Sequence, residues 1–288
     1  MVNRSVLNLN NKRIAFLGAG NMAEAIISGF IQSGKLAAEK LIVTNRNNHE
    51  RLDELKKKYG IEAVTKDQLD YTTIDIFILA MKPKDIDSVL DDLRDKITAD
   101  QLLISVLAGI STTYMEEKLN DRQQVIRVMP NTSSMIQESA TAVSPGKYVD
   151  MQKVMLAKDL MKCIGEAYIL DEDKMDIYTG IAGSGPAYFY NLMEHVEEVG
   201  YQAGLDRELV REIGAQTLYG AAKMIMEQEE TPRELRENIT SPNGTTAAGL
   251  DALNEHGGGM AIIEAVKCAA ARSKALSKKP EKILALQK

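Results

Sequence analysis

Short apolar runs alternate with amphipathic stretches along residues 1–171, and beyond them the pattern turns helical throughout. Arg13–Leu17 is an apolar run ending in Gly18-Ala19-Gly20, which predicts a strand and a tight turn. Met22–Ile31 carries apolar residues at helical spacing, and Gly34 ends it. Leu41–Thr44 predicts a second buried strand. His49–Tyr59 predicts a charged, exposed helix with Gly60 as its cap. Ile74–Ala80, Leu102–Leu107 and Gln124–Met129 predict further buried strands, with a helix over Lys84–Asp95. Ala140–Ser144 and Ala167–Leu170 predict two more. Near-continuous apolar strands alternating with helices predict a parallel sheet covered on both faces.

From Ile181 to Lys279 the periodicity is that of helices. Gly183-Ser184-Gly185-Pro186 opens a long one, with Ser184 read as its cap. Leu205-Asp206 precedes a second. Thr231-Pro232-Arg233-Glu234 is a capping box with proline at the first helical position. Thr245 begins another, and Gly257–Gly259 separates it from the last. The expected organisation is an α/β dinucleotide-binding domain over 1–171 followed by an all-helical domain over 172–288. No low-complexity linker divides them.

Bulk properties narrow the classes. The chain has 288 residues and a net charge of −6, which argues against a general nucleic-acid binder. Its lysine runs, Lys56–Lys58 and one near the C-terminus, are expected on solvated helix faces. The two cysteines, Cys163 and Cys268, have no metal-like spacing and read as free thiols of a reducing compartment. The first ten residues lack the apolar core of a signal peptide, and no run reaches the length of a membrane span. The expectation is a cytoplasmic protein with no metal, membrane or nucleic-acid partner.

Two segments carry candidate chemistry. Gly18-Ala19-Gly20-Asn21-Met22-Ala23 fits G-x-G-x-x-A between a strand and a helix. The first glycine makes the turn, the second admits a pyrophosphate, and small Ala23 lets helix and strand pack closely. The bland alternative is a tight turn without ligand. The second strand ends in Thr44-Asn45-Arg46-Asn47 rather than in an acid. Arg46 can pair with a 2′-phosphate and Asn45 can hydrogen-bond it, which favours NADPH over NADH; a plain surface arginine is the competing reading. Lys82, after the strand ending at Ala80, faces either cofactor or solvent. At the other end of the chain, Ser241-Pro242-Asn243-Gly244 lies directly before Thr245 and Thr246 at a helix start. Such a start offers unpaired N–H groups and the positive end of the helix dipole, which suit a small anion.

Together these segments resemble the pyrroline-5-carboxylate reductase family, over about Arg13 to Lys274. The resemblance rests on LGAGNMA, LAMKP at Leu79–Pro83, SVLAG at Ser105–Gly109, RVMPNT at Arg127–Thr132, GSGPAY at Gly183–Tyr188, and SPNGTTAAGL. It implies reduction of 1-pyrroline-5-carboxylate to L-proline with NADPH, or NADH, as donor. It also implies an N-terminal Rossmann-like domain followed by an all-α dimerisation domain of the 6-phosphogluconate dehydrogenase C-terminal-like type, with dimers that can assemble further. By family position, Leu17, Gly18, Ala19, Gly20, Asn21, Met22, Asn45, Arg46, Ala80, Met81, Lys82, Pro83 and Ala108 would line the cofactor. Glu172, Asn238, Gly244, Thr245 and Thr246 would lie around the substrate, with Thr246 facing the ring nitrogen and Asn238 orienting the loop.

This chain departs from the family in places. Asp67 stands where relatives often have asparagine. Asn243 stands where glycine is frequent, which requires it to adopt the left-handed region that asparagine tolerates. Met1–Lys12 extends beyond the family core and is expected to pack loosely. The competing functions are a β-hydroxyacid dehydrogenase, another cyclic-imine reductase, and a non-catalytic NADP-binding sensor. The first usually depends on a lysine in its helical domain, and no lysine lies between Pro186 and Gln202. A sensor need not keep Asn238, Thr245 and Thr246.

Overall fold

The computed structural model describes residues 9–277; Met1–Asn8 and the C-terminal lysine run lie outside them. Eight strands form one sheet: β1 (Ile14–Leu17), β2 (Leu41–Asn45), β3 (Glu62–Thr65), β4 (Ile76–Leu79), β5 (Leu102–Ser105), β6 (Gln124–Met129), β7 (Ser139–Pro145) and β8 (Gly165–Ile169). Their order is β3-β2-β1-β4-β5-β6-β7-β8. The first six positions give the 3-2-1-4-5-6 order of a dinucleotide-binding Rossmann sheet, in which the strand order reverses between β1 and β4.

The central strands are buried on both faces because their side chains alternate between two cores. Ile14 and Phe16 face one, with α1 (Asn21–Gln32), α2 (His49–Tyr59) and α5 (Met151–Met161); Phe16 meets Phe30 of α1 at 6.0 Å between ring centroids. Ala15 and Leu17 face the other, with α3 (Ile86–Arg94) and α4 (Thr112–Lys118). Each fully buried large side chain contributes about 1.5–3 kcal/mol.

The expected all-parallel sheet needs correction. β7 runs antiparallel to β6, and β8 follows β7 in parallel. The β6–β7 connection, Pro130–Glu138, holds a single 3-10 turn and no crossover helix. A parallel neighbour needs a crossover of about a dozen residues or more, so the short connection turns the chain back. Of the N-terminal extension, only residues 9–12 are described, and they pack more tightly than expected. Leu9 packs against the first core, and Lys12 Nζ reaches Asp75 Oδ1 at 2.7 Å.

Two compact units result, one of residues up to Gly183 together with Ala269–Ser277, the other Ser184–Cys268. This division falls later than the expected boundary at 171. Met175 and Tyr178 of α6 (Met175–Tyr178) are buried against Ala142 of β7, which ties the segment after Asp171 to the sheet. The chain then runs through one π-helical turn, Thr179–Gly183. Ser184 occupies the N-cap position of α7 (Gly185–Gln202), but its side chain makes no capping hydrogen bond.

The second unit has the expected helices: α7, α8 (Arg207–Glu227), α9 (Pro232–Asn238), α10 (Thr245–Glu255) and most of α11 (Gly258–Ser277). The capping box at Thr231 and Glu234 is formed. Gly200 allows α7 and α8 to approach, since a Cβ there would lie 2.6 Å from Val210. Val210 is also the one buried apolar side chain among the described residues of this unit. Leu192, Val196 and Ile213 line an open groove of ≈ 340 Å³, and Phe189, Ile225 and Ile262 are more than half exposed. A helical unit with so little buried apolar surface cannot account for its own stability and needs cover. A second copy supplies that cover most simply. Wild-type chain should sediment as a dimer or larger, and Ile213→Glu should shift it toward monomer with a lower Tm. A monomeric wild type would refute this.

Candidate active site

Gly18 sits at φ +121°, and a Cβ there would lie 2.6 Å from the backbone of Ala80 and Met81. Only glycine can bring the β1–α1 turn this close to the end of β4. Gly20 is different. It is the N-cap of α1 with no side-chain cap, and a Cβ built on it would meet nothing nearer than the Ala80 carbonyl at 4.0 Å. Space and unpaired N–H groups therefore lie together at the helix start. They open on a cavity of ≈ 630 Å³ beyond the carboxyl ends of β1, β2 and β4. An uncapped helix start opening on a cavity at this place in the sheet has the features that suit a pyrophosphate.

Leu17, Gly18, Ala19, Gly20, Asn21, Met22, Asn45, Arg46, Ala80, Met81 and Lys82 all line this cavity. Pro83 and Ala108 are not on its wall: Pro83 starts a 3-10 turn, and Ala108 is exposed in the loop after β5. Asp67 is exposed and off the wall as well. The wall also carries residues that sequence reasoning missed, chief among them Arg51, Lys66, Asp85 and Asp92. Arg51 lies in the first turn of α2, where a basic residue so near the second strand could have been noticed. Its Nε donates to the Ala19 carbonyl at 3.0 Å, and its guanidinium pairs with Glu24 and with Glu54 at 2.7 Å. Arg51 thus braces the glycine turn. Burial raises the Glu24 pKa, but hydrogen bonds from Lys58, Arg51 and Tyr59 outweigh it and hold the carboxyl at about 2. Lys66 is held by Asp92 at 2.9 Å, and Arg46 pairs with Asp85 at 3.6 Å.

Glu172 belongs to the first unit. Its Oε1 accepts from Arg127 Nη1 at 2.8 Å, and its Oε2 accepts from the Thr112 hydroxyl at 2.7 Å. Arg127 is almost fully buried in β6, so Glu172 balances a charge that would otherwise be costly to bury. Sequence reasoning missed this role, because nothing local links positions 127 and 172.

In the second unit, Asn243 adopts φ +58°, the left-handed conformation its replacement of glycine requires. Gly244 is the N-cap of α10, whose first intrahelical bond runs from the Ala248 N–H to the Gly244 carbonyl at 3.1 Å. No side chain caps the N–H groups of Thr245, Thr246 and Ala247. The Gly244 N–H is not available in the same way, since it donates to the Ser241 carbonyl at 3.0 Å and closes the turn. Asn238, expected to orient this loop, ends α9 exposed and makes no hydrogen bond to it among the described residues. The loop is instead held by Thr240, bonded back to α9, and by the Ser241–Gly244 turn.

The Rossmann sheet, glycine turn and cavity define a nucleotide-dependent oxidoreductase with a helical partner unit. Residues 172–276 match the family model for pyrroline-5-carboxylate reductase dimerisation, and residues 13–109 match that for NADP oxidoreductase, coenzyme F420-dependent. The chain is 55% identical over 96% of its length to pyrroline-5-carboxylate reductase 1 of Bacillus spizizenii, 93% of which is covered. It superimposes on the pyrroline-5-carboxylate reductase of Coxiella burnetii with a TM-score of 0.85 and 34% identity, covering 93% of this chain and 99% of that one. A Plasmodium falciparum pyrroline carboxylate reductase with NADP bound gives a TM-score of 0.83 at 28% identity, with the same coverage. The chain belongs to the pyrroline-5-carboxylate reductase family.

The two glycines separate folding from binding. Gly18→Ala should cost on the order of 2–4 kcal/mol of stability through the backbone clash and the positive φ. Gly20→Ala should keep the wild-type Tm yet weaken NADPH binding. Thermal melts and NADPH titrations of both variants check this; equal behaviour of the two would contradict it.

Proposed function

We propose that this chain reduces 1-pyrroline-5-carboxylate to L-proline, with NADPH as the preferred hydride donor and NADH as the alternative. The observation that carries the proposal is the start of α10: a left-handed Asn243, a small Gly244 and uncapped N–H groups, within residues matched by the reductase dimerisation family. These features suit a carboxylate on a small ring. When bound, the nicotinamide supplies the hydride that reduces the imine carbon.

The residues divide the remaining work. Leu17–Met22 hold the pyrophosphate, Asn45 and Arg46 the 2′-phosphate, and Ala80, Met81 and Lys82 the rest of the cofactor. The N–H groups of Thr245 and Thr246 anchor the substrate carboxylate, and Gly244 leaves room for it. Thr246, half-buried, orients the ring nitrogen through its hydroxyl. A threonine is a poor acid at neutral pH, so it polarises and positions rather than donating a proton. Asn238, at the end of α9, completes the surroundings of the substrate within the second unit. The active form is a dimer of helical units, able to assemble into larger groups of dimers, in the cytoplasm.

Mixing the protein with NADPH and pyrroline-5-carboxylate should give loss of nicotinamide absorbance with matching formation of proline. Tight NADPH binding without turnover would favour a sensor instead. Arg46→Ala should raise the KM for NADPH by about ten- to hundredfold, the loss of charge-assisted bonds, and that for NADH far less. Equal effects would remove Arg46 from the 2′-phosphate site. Thr246→Ala should lower kcat/KM for the imine by about tenfold. Full turnover at unchanged substrate affinity would remove it from the substrate site.

A further inference from the structure

We infer that Asp85 sets the coenzyme preference of the cavity by holding Arg46 until a 2′-phosphate takes its place. The inference rests on the cavity being the coenzyme site and deepens that reading.

Four cationic side chains line the cavity, Arg46, Arg51, Lys66 and Lys82, and they differ in how firmly they are held. Arg51 is only 16% exposed and is fixed by Glu24, Glu54 and the Ala19 carbonyl. Its guanidinium is committed to bracing the glycine turn. Lys66 is held at 2.9 Å by Asp92, which also takes Lys96 at 2.8 Å. Arg46 is 66% exposed, and its contact with Asp85 is long, at 3.6 Å. An exposed pair at that separation is weak and screened. Of the three paired cations, Arg46 is therefore the one that a ligand can recruit at least cost; Lys82, exposed and without an ion pair among the described residues, is a point charge that lacks the guanidinium fork.

A 2′-phosphate carries more charge than a carboxylate and offers oxygens that match a guanidinium fork. It would draw Arg46 away from Asp85. Asp85 opposes this in two ways: it competes for Arg46, and its own negative charge faces the same cavity. A coenzyme without the phosphate meets neither penalty, because Arg46 can stay on Asp85. The second strand ends without an acid, and in its place a carboxylate from across the cavity tempers the preference for the phosphorylated coenzyme.

The side chain of Asp85 is free for this role. It stands at the N-cap of α3 but makes no capping hydrogen bond to that helix. Asp85→Asn keeps its size and removes its charge.

The test is a set of fluorescence titrations with NADPH and NADH on wild type, Asp85→Asn, Arg46→Ala and the double variant, with melts to show that each is folded. Asp85→Asn should raise the ratio Kd(NADH)/Kd(NADPH) by about two- to fivefold, the range of a weak exposed ion pair. The gain should shrink in the Arg46→Ala background, since one of its two sources is gone. An unchanged ratio, or the same gain with and without Arg46, would overturn the inference. A fall in NADH affinity larger than any change with NADPH would also overturn it and make Asp85 a ribose ligand. If Arg46→Ala weakens both coenzymes equally, the 2′-phosphate assignment itself fails. If Arg46→Ala is selective while Asp85→Asn leaves the ratio unmoved, only the role of Asp85 falls.

Discussion

Gly18 pressed against the end of β4 is the contact around which the first unit's chemistry is arranged. A left-handed residue without a side chain lets the β1–α1 turn touch Ala80 and Met81. That contact falls where the strand order reverses, and it leaves the start of α1 uncapped above a cavity. Arg51 then fixes the turn from α2 through the Ala19 carbonyl, with Glu24 and Glu54 balancing its charge. The cavity is a consequence of how tightly these backbones approach, more than of any one side chain on its wall.

The second unit obeys a different constraint. α8 and α9 are capped, at Asp206 and Thr231, and α7 and α8 pair closely at Gly200 and Val210, yet the unit buries almost nothing in a single chain. Its stability must come from association, which agrees with the match of this region to a dimerisation family. The same region carries the α10 start.

Local signals were legible in the sequence, and long-range ones were not. The β1–α1 turn, the capping box at Thr231 and the left-handed Asn243 each follow from a few adjacent residues, and each is present. The direction of β7 was not legible, because it depends on the length of the connection and not on the strand's own pattern. β3 escaped because Glu62–Thr65 is a short, partly exposed edge strand without a continuous apolar run. The braces and counter-charges of the site, Arg51 with Glu24 and Arg127 with Glu172, join residues far apart in the chain. Single-sequence reading has no handle on such pairs. Resemblance could suggest Glu172, but not that a buried arginine holds it.

Hydride transfer from a nicotinamide to a cyclic imine is the reaction on which everything above converges. Reaction of pyrroline-5-carboxylate with NADPH deuterated at the transferred position, followed by mass spectrometry of the product, tests it most directly. Proline carrying one deuterium at the former imine carbon is the expected product. Unlabelled proline, or oxidised coenzyme without proline, would contradict it.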